Sequence, residues 1–240
     1  MELTGLQNPM VKAAAELKQK KYRQQQSIFY TAIEDDRTRA VLEEAAAKQI
    51  KLVCVSDKVL KKIADTETPQ GIIAVCEMRS KRLDDFLASG KMLLVLDRVT
   101  DPGNIGTMLR TADAAGVGGL LLLQGCADIY APKTVRASMG SLFHLPVLSG
   151  LSEELLVQAA RKAGYELLVT CLDGADNLYK ADLQGRIAFI MGNEANGVSD
   201  ALLAAADKRV FIPMQGRAES LNVAMAAGIV MFEALRQKLK

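Results

Sequence analysis

FIPMQGRAESLNVAMAAG, Phe211 to Gly228, sets two hydrogen-bonding side chains, Ser220 and Asn222, at the mouth of an apolar run. Val223 through Phe232 carry no charge. A capping residue before a buried helix accounts for one polar side chain. It does not account for two that flank Leu221, nor for the glycine-bearing loop before them. A helix apolar on all faces needs cover on more than one side. RVFIPM, just upstream, reads as a strand, so the segment runs strand, long polar loop, helix.

The same order repeats upstream. KMLLVLD, GLLLLQG, ELLVTCL and IAFIMG are also apolar strands. Between strands lie helical stretches: Ile105 to Ala115 closed by Gly116, Pro132 to Met139 closed by Gly140, and Ser152 to Ala163 closed by Gly164. Apolar strands alternating with helices indicate a parallel sheet covered on both faces. Ligands of such sheets sit outside the carboxyl ends of the strands, so the loops there are the places to look.

Three of these loops have unusual residues. In the first, Leu96 to Val117, Asp101-Pro102-Gly103 forms a turn and Asn104 can cap the following helix, with Arg110 about two turns inside it. A snorkelling arginine is the bland account of Arg110. The second, Ile190 to Asp200, has GxxxxG spacing before Ser199. Val198 stands where a phosphate loop needs lysine, which excludes triphosphate binding. The glycines are expected to let a ligand approach the backbone. Glu194 reads as an acid, a ligand orienter or a helix-start carboxylate. The third loop is the opening stretch.

The charged segment Lys81 to Met92 reads as a junction, giving a small α/β domain over 1–85 and a larger one over 91–240. In the first, a helix runs from Asn8, with Pro9 at its first position, to about Lys21. SIFYTAI, IKLVCVS and GIIAVCE are strands, and Asp36 to Lys48 is a helix.

The 240 residues are 50% hydrophobic, enough for a sizeable core, with net charge +2. Lys12, Lys18, Lys20, Lys21 and Arg23, with one acid among them, form a candidate phosphate-contacting patch or a solvated helix face. The N-terminus lacks a signal-peptide core, and no apolar run reaches the roughly 20 residues a membrane span needs. The four cysteines are widely spaced without a CxxC pair, so no metal site or redox pair is indicated, and a cytoplasmic location is expected.

Together, in this order, the three loops resemble the signature motifs of the SpoU (TrmH) family of RNA 2'-O-ribose methyltransferases. NIGTMLRTADAAGV is similar to the first motif, IMGNEANGVS to the second and IPMQGRAESLNVAMAAGI to the third. The resemblance is near complete from Lys91 to Lys240. The first half resembles the small substrate-binding domain that often precedes this catalytic domain, best at TPQGIIAVC, Thr68 to Cys76. The family usually has a Glu-Gly pair after its first strand; here Asp35 follows Glu34.

The resemblance implies a SPOUT catalytic domain with a trefoil knot, a rare exception to ordinary topology. It implies S-adenosylmethionine as cofactor, held by Thr170, Gly192, Ile212, Met214 and Leu221, and a homodimer packed through the last helix. Asn104, Arg110, Glu194, Ser220 and Asn222 match the active-site polar residues. The implied reaction methylates a ribose 2'-hydroxyl of RNA without a metal. A guanosine of ribosomal RNA is favoured, and transfer RNA is the other substrate considered.

The family proposal makes Arg110 the base, although guanidinium normally stays protonated. Two readings stay open: Arg110 binds a neighbouring phosphate, or it is transiently deprotonated. Asn104 and Glu194 are expected to orient Arg110, and Ser220 and Asn222 to lie near the hydroxyl. His144, the one histidine, reads as structural. The alternatives are a non-catalytic RNA-binding module, which would bind no cofactor, and a base-nitrogen methyltransferase, which SLN and Arg110 argue against. A Rossmann dehydrogenase would need GxGxxG after a strand, and none is present.

Overall fold

The computed structural model describes residues 11, 27–31, 35–64, 66–76, 81–171 and 174–239. The chain divides into two compact units, Met1–Arg79 and Ser80–Lys240. The helix expected from Asn8 to Lys21 and the patch Lys12, Lys18, Lys20, Lys21 and Arg23 lie outside the described residues, Val11 apart.

The first unit holds β1 (Ser27–Tyr30), α1 (Asp36–Ala47), β2 (Leu52–Cys54), α2 (Asp57–Ile63) and β3 (Ile72–Val75). β1 is central, parallel to β2 and antiparallel to β3. Alternation splits its side chains between two cores. Phe29 joins Val53, Val59, Leu60 and Ile63 on one face, and Ile28 joins Leu42 and Ala45 on the other. Asp35, where this chain departs from the Glu-Gly pair, is the N-cap of α1. Its carboxylate accepts from the Thr38 amide at 2.8 Å and from the Thr38 hydroxyl at 2.7 Å. α2 was not evident in the sequence, because DKVLKKI is under two turns long.

The second unit runs α3 (Leu83–Ala88), β4 (Leu93–Leu96), α4 (Pro102–Ala114), β5 (Gly119–Leu123), α5 (Pro132–Ala137) and β6 (Val147–Leu151). Then follow α6 (Glu153–Lys162), β7 (Glu166–Thr170), β8 (Asp176–Asn177), β9 (Ile187–Met191), α7 (Asp200–Ala205), β10 (Lys208–Phe211) and α8 (Val223–Lys238). Among the described residues the strands form one sheet in the order β6-β5-β4-β9-β7-β10-β8, every pairing parallel. The central strands β4, β5, β7 and β9 are buried on both faces, which is why they read as apolar runs. Leu94, Leu96, Leu120, Leu122 and Phe189 meet α4 and α8 on one side. Leu93, Val95, Leu121, Val169 and Ile190 meet α3, α6 and α7 on the other.

One reading of the sequence changes here. The segment Lys81 to Met92 is no bare junction: α3 buries Phe86 and Leu87 in the second unit's own core. Within one chain α8 is covered on one side. Val223, Ala224, Ala227, Val230, Met231 and Ala234 are buried, whereas Met225 and Phe232 are exposed.

Gly106 brings α4 against α5. A Cβ there would stand 2.5 Å from Ala137 Cβ and 2.6 Å from the Thr134 carbonyl oxygen. The second contact is backbone and cannot swing aside. Gly106→Ala is expected to cost about 1–3 kcal/mol as overpacking. Thermal denaturation followed by circular dichroism checks it: the midpoint should fall by several degrees.

Candidate active site

β4 and β9 are hydrogen-bonded neighbours, and the chain leaves β4 for β5 and β6 on one side while β9 meets β7 on the other. That is a topological switch point, where parallel sheets bind ligands. The loop after β4 enters α4. Asp101, not Asn104, is its N-cap: Asp101 Oδ1 accepts from the Asn104 amide at 2.9 Å, and Pro102 opens the helix. Asp101 Oδ2 accepts from Lys133 Nζ at 2.9 Å. The Lys133 ammonium, then the Asn104 amide, hold the Asp101 carboxyl below the usual carboxylate range. With its backbone amide satisfied by Asp101, Asn104 has its side chain free to reach elsewhere.

Asn222 is the N-cap of α8. Its Oδ1 accepts from the amides of Ala224 at 2.9 Å and Met225 at 3.3 Å. Its Nδ2 therefore faces away and donates to Asn104 Oδ1 at 3.0 Å. Asn104 Nδ2 in turn donates to Glu194 Oε1 at 2.8 Å. Side chains from the N-terminal ends of α8 and α4 and from the loop after β9 thus form one directed relay, Asn222 to Asn104 to Glu194.

Glu194 does not start a helix, because Ser199 caps α7 through the Leu202 amide. It sits in a loop closed on itself. Asn193 and Gly197 exchange backbone hydrogen bonds of 3.0 and 2.9 Å. Asn193 Oδ1 accepts from the amides of Ala195 at 2.9 Å and Asn196 at 3.1 Å. A Cβ at Gly192 would lie 2.2 Å from Gly197 C and Val198 N. The chain's own backbone thus makes a close approach at Gly192.

Arg110 and Ser220 stay outside the relay. Six residues along α4 put Arg110 about 9 Å further on and roughly 120° around from Asn104. The Arg110 guanidinium is exposed and makes no hydrogen bond among the described residues, so within one chain Asn104 and Glu194 do not orient it. The Ser220 hydroxyl is exposed and also makes none. His144 Nδ1 lies 3.2 Å from Asp113 Oδ2, on the last turn of α4. Sequence reasoning missed Asp97 and Asn193, although both sit in the loops it singled out.

Thr170, Gly192 and Ile212 lie at the carboxyl ends of β7, β9 and β10, which are adjacent in the sheet. Thr170 Oγ1 is 3.8 Å from Met191 Sδ. Ile212 and Met214 are half-buried, and Leu221 is 39% exposed. None of these five is charged, and residues 212–222 belong to no helix or strand. An uncovered apolar side chain beside such backbone fits a flat nucleobase with polar edges, so the set fits the adenosine of S-adenosylmethionine. A separate open groove of about 480 Å³, lined by Leu87, Leu155, Lys162 and Arg186, contains none of these residues. The described residues hold no group of three or more His, Cys, Asp or Glu side chains placed for a metal. No helix among them is long and apolar enough to cross a membrane.

A family model described as the SpoU rRNA methylase family matches residues 91–232. The chain belongs to this family. A second model, described as the RNA 2'-O ribose methyltransferase substrate-binding domain, matches residues 12–82. This SpoU chain is 39% identical over 183 residues to the 23S rRNA (guanosine(2553)-2'-O)-methyltransferase RlmP of Bacillus subtilis, covering 76% of this chain and 72% of that one. It is 34% identical to a 23S rRNA (guanosine-2'-O-)-methyltransferase RlmB of Burkholderia, with 87% of each covered. The AdoMet-bound rRNA methyltransferase of Sinorhizobium meliloti superposes with TM-score 0.87 at 32% identity, over 100% of this chain and 99% of that one.

The Asp101–Lys133 pair predicts a pH dependence. The folded pKa is lowered, so the stability it brings is present above the unfolded value near 3.9 and is lost as pH falls through the folded value. Asp101→Asn keeps a capping oxygen and removes the charge. Urea unfolding of both proteins should show a constant gap above about pH 5 that closes below about pH 4.

Proposed function

We propose that this chain is an S-adenosylmethionine-dependent RNA methyltransferase that methylates the 2'-hydroxyl of a ribose in ribosomal RNA, at a guanosine. The observation that carries this reading is the relay Asn222–Asn104–Glu194, set beside the apolar shelf Thr170, Ile212, Met214 and Leu221. The RlmP and RlmB relatives, named as guanosine-2'-O-methyltransferases of 23S rRNA, support the ribose, the RNA class and the base. The family's knotted threading belongs to the same reading. It is supported by β9 lying between β4 and β7, and by Gln237 of α8 bonding the backbone of Ala181 and Leu183.

When bound, S-adenosylmethionine supplies a sulfonium methyl group as electrophile. Thr170, Gly192, Ile212, Met214 and Leu221 hold it. The ribose hydroxyl is a weak nucleophile, so placement does most of the work. Glu194 Oε1 is held by Asn104, which leaves Oε2 to accept the hydroxyl hydrogen and aim the oxygen. Arg110, exposed, acts as a fixed cation for a phosphate of the bound strand, which favours the charge reading over deprotonation. Ser220 lies in the same loop as Leu221 and contacts the substrate.

A homodimer, in a cytoplasmic location, completes the reading. Met225 and Phe232 on α8 are the apolar side chains a second copy would cover.

The test is methyl transfer from radiolabelled S-adenosylmethionine to ribosomal and transfer RNA from cells lacking the protein, with nucleoside mapping. Labelled 2'-O-methylguanosine in ribosomal RNA is expected. Label on a base overturns the ribose reading, label in transfer RNA the substrate reading, and absence of transfer together with absence of cofactor binding the whole. Asn104→Ala should slow single-turnover transfer by ~10²-fold, since small misplacements cost that much. Arg110→Lys should keep most activity.

In the first unit, Lys58, Lys61 and Lys62 share the exposed side of α2, opposite buried Val59, Leu60 and Ile63. With Lys12, Lys18, Lys20, Lys21 and Arg23, they are the proposed phosphate contacts. Replacing the three α2 lysines by alanine should lower the slope of log affinity against log salt by roughly 2–3. Filter binding at several salt concentrations measures this. An unchanged slope removes α2 from the RNA-binding face.

A further inference from the structure

Asp97 is 1% exposed and follows β4 directly. A buried carboxylate is costly unless its charge and lone pairs are matched. Here Arg98, its own neighbour, turns back on it: Nε donates to Asp97 Oδ1 at 2.9 Å and Nη2 to Oδ2 at 3.1 Å. That turn requires φ of +53° at Arg98, a left-handed conformation that non-glycine residues seldom adopt. Asp97 Oδ2 also accepts from the Ser199 amide at 2.8 Å. The Arg98 carbonyl accepts from Asn193 Nδ2 at 2.8 Å.

Two consecutive residues after β4 therefore hold the two ends of the loop 193–199. The loop's internal bonds shape it, but they do not fix it to the sheet. Asp97 and Arg98 tie it to the end of β4, and Glu194, which meets Asn104 of α4, lies between the two anchors in sequence. A site that needed only filler at Asp97 would be served by an apolar side chain. The strained Arg98 and the buried charge are explained by what they hold.

We propose that Asp97, acting with Arg98, is a positioning residue for methyl transfer: it pins the loop 193–199 so that Glu194 meets Asn104. The proposal rests on the methyltransferase reading for its catalytic half. The pinning itself can be read without catalysis.

Two variants and two readouts test it. Asp97→Asn keeps one acceptor and removes the charge that recruits Arg98. Asn193→Asp removes the donor to the Arg98 carbonyl, keeps the oxygen that binds Ala195 and Asn196, and leaves no buried gap. In cofactor-free protein, hydrogen exchange at the amides of Asn196 and Ser199 should speed up by roughly tenfold or more in both variants, with β4 and β9 unchanged. Single-turnover transfer at saturating RNA and cofactor should fall by ~10²-fold, with RNA affinity kept. Added to Glu194→Gln, either variant should cost little more, because both act through Glu194. Unchanged exchange in the loop overturns the pinning. Losses that simply multiply with that of Glu194→Gln overturn the positioning role. A wild-type protein that transfers no methyl group overturns the methyltransferase reading and the catalytic half, while the exchange result still decides the pinning.

Discussion

The capture of Asn222 Oδ1 by the first amides of α8 sets the direction of everything around the site. An amide side chain is a donor at one end and an acceptor at the other. Once the helix takes the acceptor, the donor must point to Asn104, and Asn104 must then show its own donor to Glu194. Each hydrogen bond contributes only about 1 kcal/mol net. Their value lies in direction, because the polarity of a helix end is passed through two neutral side chains to a carboxylate.

The sheet makes that transfer possible. Its switch point puts the ends of β4 and β9 side by side, and β7 and β10 carry the apolar shelf next to them. Residues 104, 194 and 222 are distant in the chain, yet each follows a strand of the one sheet, and β4 and β9 cannot slide without exposing buried apolar side chains to water. Gly106 and Gly192 show how tightly this frame is drawn, since at each the space for a side chain is already filled by backbone.

Much of this was legible in the sequence because burial on both faces writes strands as plain apolar runs. Ser152 was legible as a cap, and its side chain does accept from the Leu155 amide. Other features left weaker marks. β6, VLSGL, has Ser149 and Gly150 exposed in its middle and so lacks an apolar run. Asn104 was read as a cap because asparagine is a good one, but Asp101 stands three residues earlier with Pro102 behind it, and the first competent cap wins. The functional meaning of Glu194 required knowing that Asn104 faces it across 90 residues of chain. Arg110 was placed with the others by pattern, whereas helical geometry sets it apart. Asp97 and Asn193 gave no signal at all, since a carboxylate after a strand and an asparagine in a loop are ordinary until their partners are seen.

The directed relay also constrains how this site can change over time. Reversing one amide would set donor against donor on one side and acceptor against acceptor on the other. Asn104→Asp would place two carboxylates face to face, and Asn222→Asp would leave Asn104 Oδ1 facing an acceptor. Neither asparagine can be exchanged for aspartate without its neighbour losing a hydrogen bond, whereas Glu194→Gln keeps an acceptor for Asn104, so the end of the relay is freer to drift than its middle.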